Sequence, residues 1–243
     1  MEPNTKLCER MLSPYNLEVA VQNVKRNKGS AGVDGMGVEE IDRFMRDDWA
    51  RIREQILARK YKPKPVKRVE IPKDNGGVRL LGVPCVVDRV IQQAMVQVLT
   101  PVFEPTFSDF SYGFRPNRSA EDAVRKAQEY MAEGYSHVVD LDLSKFFDTV
   151  NHDLLMTFVD RTLDDKDIRR LIYVYLKSGV MADGSFSATE EGTPQGGPLS
   201  PLLSDTSGSL LSEDEAPLFI SDSVIKIGLI FGSASSIQLK KFA

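Results

Sequence analysis

The chain has 243 residues, 42% of them hydrophobic and 27% charged, with a formal net charge of −4. That composition excludes a disordered or low-complexity chain and leaves length for one large or two small domains. The acidic balance excludes a uniformly basic nucleic-acid binder, so any such contact must come from a local patch.

The two cysteines, Cys8 and Cys85, have neither disulfide nor metal-ligand spacing and read as free thiols of a reducing compartment. Met1-Glu2-Pro3-Asn4-Thr5 lacks a signal layout, and the apolar run near Ile227 is broken by Lys226 and glycines. A soluble, cytoplasmic protein with no membrane partner is expected.

Leu17, Ala20, Val21 and Val24 stand at helical spacing and predict a short helix from about Leu17. Gly29-Ser30-Ala31-Gly32-Val33-Asp34-Gly35 reads as a loop; it matches no phosphate-loop spacing and no strand precedes it. Val38 to Tyr61 predicts a single helix, with Val38, Ile41, Phe44, Met45, Trp49, Ile52, Ile56 and Leu57 as its apolar stripe.

Lys60 to Arg79 is the one strongly basic section: Lys60, Lys62, Lys64, Lys67, Arg68, Lys73 and Arg79 stand against Glu70 and Asp74. Val69–Pro72 and Val78–Leu81, separated by a glycine turn, predict a β-hairpin. Lys73 and Arg79 fall near its tip, where a point charge and a planar fork suit a polyphosphate. A helix from Val86 to Val98 follows.

Tyr112-Gly113-Phe114-Arg115-Pro116-Asn117-Arg118-Ser119 interleaves aromatics with two arginines. That pattern suits base stacking with phosphate contact, and equally buried aromatics with Arg115 fixing loop carbonyls. Ser119 caps a predicted helix to Met131, with Asp122 at the third position.

From Val139 to Leu143 apolar and acidic residues alternate, so Asp140 and Asp142 share one strand face. A carboxylate inside an apolar strand needs compensation, which a divalent cation supplies. Helices are predicted from Asn151 and from Asp167 to Lys177, and His152 is assigned no catalytic role. In Gly192-Thr193-Pro194-Gln195-Gly196-Gly197-Pro198 the glycine pair lets backbone approach a ligand closely.

Four blocks now resemble, in order, the reverse transcriptases encoded by group II introns. Ile71–Gly82 resembles the fingers hairpin, and Phe110–Ser119 a block characteristic of the family. Asp140–Asp148 resembles polymerase motif A, and Gly192–Pro201 motif B. The likeness covers roughly residues 10–204 and implies an α+β fold, a right-hand polymerase's fingers and partial palm with an incomplete antiparallel palm sheet. It divides the chain into an N-terminal extension (1–36), fingers and partial palm (37–204) and a tail unlike the family (205–243).

The resemblance implies that Asp142 is catalytic and binds Mg²⁺ with the Leu143 carbonyl. Lys73, Arg79, Phe147 and Gln195 would hold the incoming nucleotide. Lys62, Lys64, Lys67, Arg68, Arg115 and Arg118 would contact nucleic acid. The implied reaction is RNA-directed DNA synthesis from dNTPs on an intron RNA template and primer, with maturase-type RNA binding. The N-terminal extension and the Tyr-Gly-Phe-Arg-Pro block favour the intron type over retron, diversity-generating and CRISPR-associated relatives.

After Ser204 the sequence departs from the family: the second element, Tyr-Ala-Asp-Asp, does not follow. Losing those carboxylates together with the thumb is expected to cost at least ~10³-fold in rate, since each ~1.4 kcal/mol is tenfold. The chain is therefore expected to be catalytically incomplete, with a frameshifted, rearranged or alternatively joined tail. The rival readings are a non-catalytic RNA-binding fragment and a non-functional truncated product.

Overall fold

The computed structural model describes residues 6–72, 76–138, 150–192, 196–208 and 240–241. It is α+β, and its contacts divide it into two units. The first joins residues 1–102 to 147–200, and the second joins 103–146 to 201–243.

The first unit opens with α1 (Leu7–Met11) and α2 (Pro14–Asn27). Ser13 caps α2 by accepting from the Asn16 N–H at 3.4 Å, and Pro14 sits in its first turn, where a missing N–H costs nothing. The helix thus begins three residues before the predicted start at Leu17. Its buried residues are the predicted Leu17, Ala20, Val21 and Val24.

The single helix expected from Val38 to Tyr61 is broken. A 3-10 turn (Val38–Glu40) leads into α3 (Ile41–Asp47), and α4 (Trp49–Leu57) starts after Asp48. Asp48 sits at φ −119°, off the helical value, and its carboxylate pairs with Arg51 at 3.2 Å. Aspartate favours such local pairing over a helix interior. Ile41, Ile52 and Ile56 are buried as expected, but Leu57 is 47% exposed, standing about 100° round the helix from Ile56 at the end of α4.

The predicted hairpin is present as β1 (Val66–Pro72) and β2 (Val78–Val83), antiparallel with Lys67 opposite Val83 and Pro72 opposite Val78. Helix α5 (Val86–Phe103) extends past the predicted Val98 and is the central core element. Val86, Val90, Ala94, Met95 and Leu99 along it are fully buried. Its last residue, Phe103, begins the second unit.

Helices α7 (His152–Thr162) and α8 (Lys166–Leu176) pack on each other, and α1 packs on α8. Asn151 and Asp165 cap their N-termini through side-chain oxygens. Strands β4 (Val180–Ala182) and β5 (Ser185–Ser187) form a second hairpin; β4 runs parallel to β1, pairing Val66 with Val180. The result is a mixed four-stranded sheet ordered β2-β1-β4-β5. The turn is Asp183-Gly184, both at positive φ (49° and 78°), the pair that a two-residue hairpin requires.

The second unit holds α6 (Ala120–Ala132), α9 (Leu199–Gly208) from Pro201 onward, and a short antiparallel pair. That pair joins β3 (His137–Val138) to β6 (Lys240–Lys241). The acidic strand expected from Val139 lies outside the described residues, as does the apolar run Val224–Phe231. Among the described residues no helix is long and apolar enough to cross a membrane.

Candidate nucleic-acid interface

The basic section is laid along the entry to β1 and the strand itself. Lys62, Lys64, Lys67 and Arg68 are all exposed. Lys67 and Arg68, being consecutive on a strand, face opposite sides of the hairpin. Apolar Ile71, Val78 and Leu80 near the tip are 42%, 52% and 40% exposed, so the hairpin's outer half is not core. Arg79 stands opposite Ile71 in register. Lys73 and the side chain of Arg79 lie outside the described residues.

Lys64 has a local partner. Its ammonium lies 3.1 Å from Asp34, whose carboxylate also accepts from the Met36 N–H at 3.2 Å. Burial pushes the Asp34 pKa up, but the Lys64 and Met36 bonds outweigh it and hold the carboxyl below its ordinary value. Asp34 belongs to the glycine-rich loop, which is seated on the start of α5. Arg89 donates to the Lys28 carbonyl at 3.1 Å and to the Ser30 carbonyl at 2.9 Å. A Cβ on Gly32 would stand 2.7 Å from the Cys85 backbone. This loop is a structural joint, as its lack of phosphate-loop spacing suggested.

At the root of the hairpin lies a group the sequence reading passed over. Asp88, 2% exposed, accepts from the Tyr61 hydroxyl at 2.6 Å, the Tyr175 hydroxyl at 3.1 Å and the Lys64 N–H at 3.3 Å. Burial raises its pKa to about 6, with the three hydrogen bonds pulling the other way. Burial, then the adjacent carboxylate, raises the Tyr61 phenol. The available signal was Asp88-Arg89 inside the apolar run Val86–Ile91, a charged pair where a core helix should have none.

The block ending in Gly196-Gly197 is pinned at both described ends. His152 is 2% exposed and its Nε2–H donates to the Gly192 carbonyl at 2.6 Å, while the Gly192 N–H donates to the Val150 carbonyl at 2.8 Å. Burial holds the imidazole below its usual pKa, and its buried Nδ1 has no partner. His152 is thus a structural pin. At the other end Gly196 sits at φ +119°, and a Cβ there would stand 2.7 Å from the Gly82 carbonyl oxygen. A Cβ on Gly197 would stand 2.5 Å from Gln92 Oε1, which also accepts from the Leu199 N–H at 3.4 Å. The close approach expected toward a ligand is, for these two glycines, an approach to the chain's own hairpin root and α5. Gln195, between the two pins in sequence, lies outside the described residues.

In the second unit the arginines of the aromatic block separate. The Arg115 side chain is 4% exposed and gives Nη2 to Glu104 at 2.8 Å, Nε to the same oxygen at 3.1 Å, and Nη1 to the Ser111 and Ser108 carbonyls. It also lies over the Phe107 ring, 5.4 Å from its centroid. The nucleic-acid contact expected of Arg115 is not available from this geometry, because its donors are turned into its own loop. Arg118 is more open, at 24%; it lies 5.5 Å from the Tyr112 ring centroid and bonds the Asp109 and Ser111 carbonyls. Phe114 is 74% exposed with φ 52°, a left-handed backbone that costs a bulky residue ~1–3 kcal/mol. Ser119 and Asp122 form the predicted reciprocal cap of α6, at 2.9 and 3.2 Å.

Asp142, Leu143 and Phe147 lie outside the described residues. Among the described residues no group of three His, Cys, Asp or Glu could hold a metal ion.

Residues 71–210 match the family model described as "Reverse transcriptase (RNA-dependent DNA polymerase)". Protein YkfC of Escherichia coli K12 is 37% identical over 82% of this chain, which spans 54% of that protein. The group II intron-encoded protein LtrA of Lactococcus lactis subsp. cremoris is 35% identical over 83% of the chain and 33% of its own length. The chain thus spans about half or less of these curated relatives. A solved chain of a "Partial Cas6-RT-Cas1--Cas2 complex" shares the fold at TM-score 0.55, with 23% identity over 83% of this chain and 33% of that one. With the family model spanning more than half of its length, and with intron-encoded proteins among its relatives, the chain belongs to the reverse transcriptase family and resembles the group II intron-encoded members.

Proposed function

We propose that these residues form the fingers and first palm portion of a group II intron-type RNA-directed DNA polymerase. One observation carries the reading beyond family membership: Gly196 and Gly197 lie directly against Gly82 and Gln92. That contact sets the end of the Pro-Gln-Gly block against the root of the basic hairpin, which supports the two blocks acting together on one nucleotide. Lys73 and Arg79 on the hairpin would hold the triphosphate, with Gln195 and Phe147 beside the nucleotide. Lys62, Lys67, Arg68 and Arg118 would contact phosphates of intron RNA, with Lys64 sharing its charge with Asp34.

Asp142 and the Leu143 carbonyl are hard oxygen donors of the kind Mg²⁺ takes, so they would hold the ion. When bound, the metal supplies charge neutralisation for nucleotidyl transfer. No adjacent Asp pair follows the Pro-Gln-Gly block in this sequence. We therefore propose that these residues alone bind RNA without sustaining synthesis. The test is primer extension on poly(rA)/oligo(dT) with Mg²⁺ and dTTP, beside an Asp142→Ala control and an RNA-binding titration across salt. No incorporation above the control is expected, together with RNA affinity that falls steeply with salt. Incorporation above the control would overturn the incompleteness. A cooperatively folded chain that neither binds RNA nor incorporates nucleotide would overturn the function.

A further inference from the structure

We propose that Phe114 is a stacking platform for an unpaired base of single-stranded RNA. The inference rests on the nucleic-acid reading above and names the residue and the ligand chemistry within it. The ring is 74% exposed, beside a residue that is almost fully enclosed: Arg115, whose guanidinium is tied to Glu104 and to the Ser108 and Ser111 carbonyls. The tie fixes the loop on one side of Phe114 and leaves the ring outside. The backbone there, at φ 52°, is one that glycine adopts freely and phenylalanine does not. Neither burial nor backbone preference accounts for an aromatic at this position, so its value lies in what the ring meets.

The surroundings select a nucleobase over an apolar protein surface. Phe114 is followed by Arg115, Pro116, Asn117 and Arg118 rather than by further apolar residues. Arg118 is partly open and lies over Tyr112, although Asp109 shares its charge at 3.3 Å. An exposed π-face with a cation four residues along the same loop is the combination that single strands use, bases on rings and phosphates on charges. A duplex keeps its bases stacked internally and offers the ring nothing.

The test is fluorescence anisotropy of a labelled, unstructured 12-nucleotide RNA and of the matching RNA duplex, with the full chain and its Phe114 variants. Phe114→Ala should weaken single-strand binding about 10-fold, within the range measured for base–aromatic stacking, and leave both the salt slope and duplex binding unchanged. Phe114→Trp should restore affinity. Phe114→Gly should bind as weakly as Phe114→Ala yet melt at a higher temperature than the parent, since it relieves the left-handed backbone. A core role for the ring would instead lower the melting temperature. A parent chain that binds RNA while Phe114→Ala and Phe114→Gly bind within twofold of it would overturn the platform alone. Equal losses on duplex and single strand would also overturn it. A parent chain that binds no RNA would overturn the nucleic-acid reading and the platform together.

Discussion

Asp88 and Arg115 are both charged groups taken out of water, one in each unit, and the fold holds them by different means. Asp88 leans on neutral donors, two tyrosine hydroxyls and one backbone N–H. Arg115 has an opposite charge, with two of its nitrogens on one Glu104 oxygen. Burial favours the protonated form of Asp88, the neutral donors offset it only in part, and its pKa rises to about 6. The first arrangement makes stability depend on pH; the second makes it depend on the partner being present.

The largest expected effect follows from removing the acceptor at Asp88. Asp88→Ala strands the Tyr61 and Tyr175 hydroxyls and the Lys64 N–H, and should cost ~3 kcal/mol in urea unfolding. Asp88→Asn preserves the shape and isolates the proton. Because the folded pKa, about 6, exceeds the ordinary open-chain value of 3.8, the folded state binds the extra proton between them. Its contribution is complete below about pH 3.8 and is lost as pH rises through about 6. The parent's stability relative to Asp88→Asn should therefore fall across that window, by up to ~3 kcal/mol. A constant difference between the two would show that Asp88 ionises as freely in the fold as in the open chain.

Breaking the second knot should cost slightly less, because the Glu104 side chain remains 30% exposed and can be rehydrated. Arg115→Met is expected to lose ~2–3 kcal/mol, and Arg115→Lys nearly as much, since one ammonium cannot reproduce the fork toward Glu104, Ser108 and Ser111. Neither variant should show the pH window of Asp88. Full stability in Arg115→Lys would mean that charge alone, without the fork, holds the loop.

Gly196 tests the contact between the glycine pair and the root of the basic hairpin. At φ +119° with only 2.7 Å to the Gly82 carbonyl, Gly196→Ala must move backbone against backbone and should cost ~2 kcal/mol. Gly76→Ala is the matched control, since a Cβ there, at φ +82°, meets nothing within 4 Å and only the backbone term remains. Equal losses at the two positions would show that the Gly82 contact yields easily.

The two knots also mark where sequence reading worked. Local signals carried well: the Ser119–Asp122 cap, the helix opening at Asn151 and the basic hairpin are all present. Each depends on residues within a few positions of one another. The Asp183-Gly184 hairpin and the Ser13-Pro14 helix start were equally local and were passed over, although both carry standard signals. Asp88 was hidden for another reason, because its partners Tyr61 and Tyr175 stand 27 and 87 residues away. Arg115 was readable as either scaffold or interface, and only the position of Glu104, eleven residues earlier, decides for the scaffold. The glycine pair was expected to approach a ligand; what these two residues approach, Gly82 and Gln92, is set by the tertiary fold.

The smallest expected effect completes the contrast between buried and open charge. Arg59 and Asp167 form a pair at 2.5 Å, shorter than the 2.8 Å of Arg115 and Glu104, but their side chains are 56% and 41% exposed. Water solvates both partners when the pair opens, and ordering two side chains offsets much of the attraction. Arg59→Ala should therefore change stability by no more than ~0.5 kcal/mol, and raising salt from 0.1 to 1 M should shrink even that. Arg59 sits at φ 59°, so Arg59→Gly should gain from the backbone what it loses from the pair. A loss from Arg59→Ala as large as that from Arg115→Met would show that distance, rather than exclusion of water, sets the strength of charge pairs in this fold.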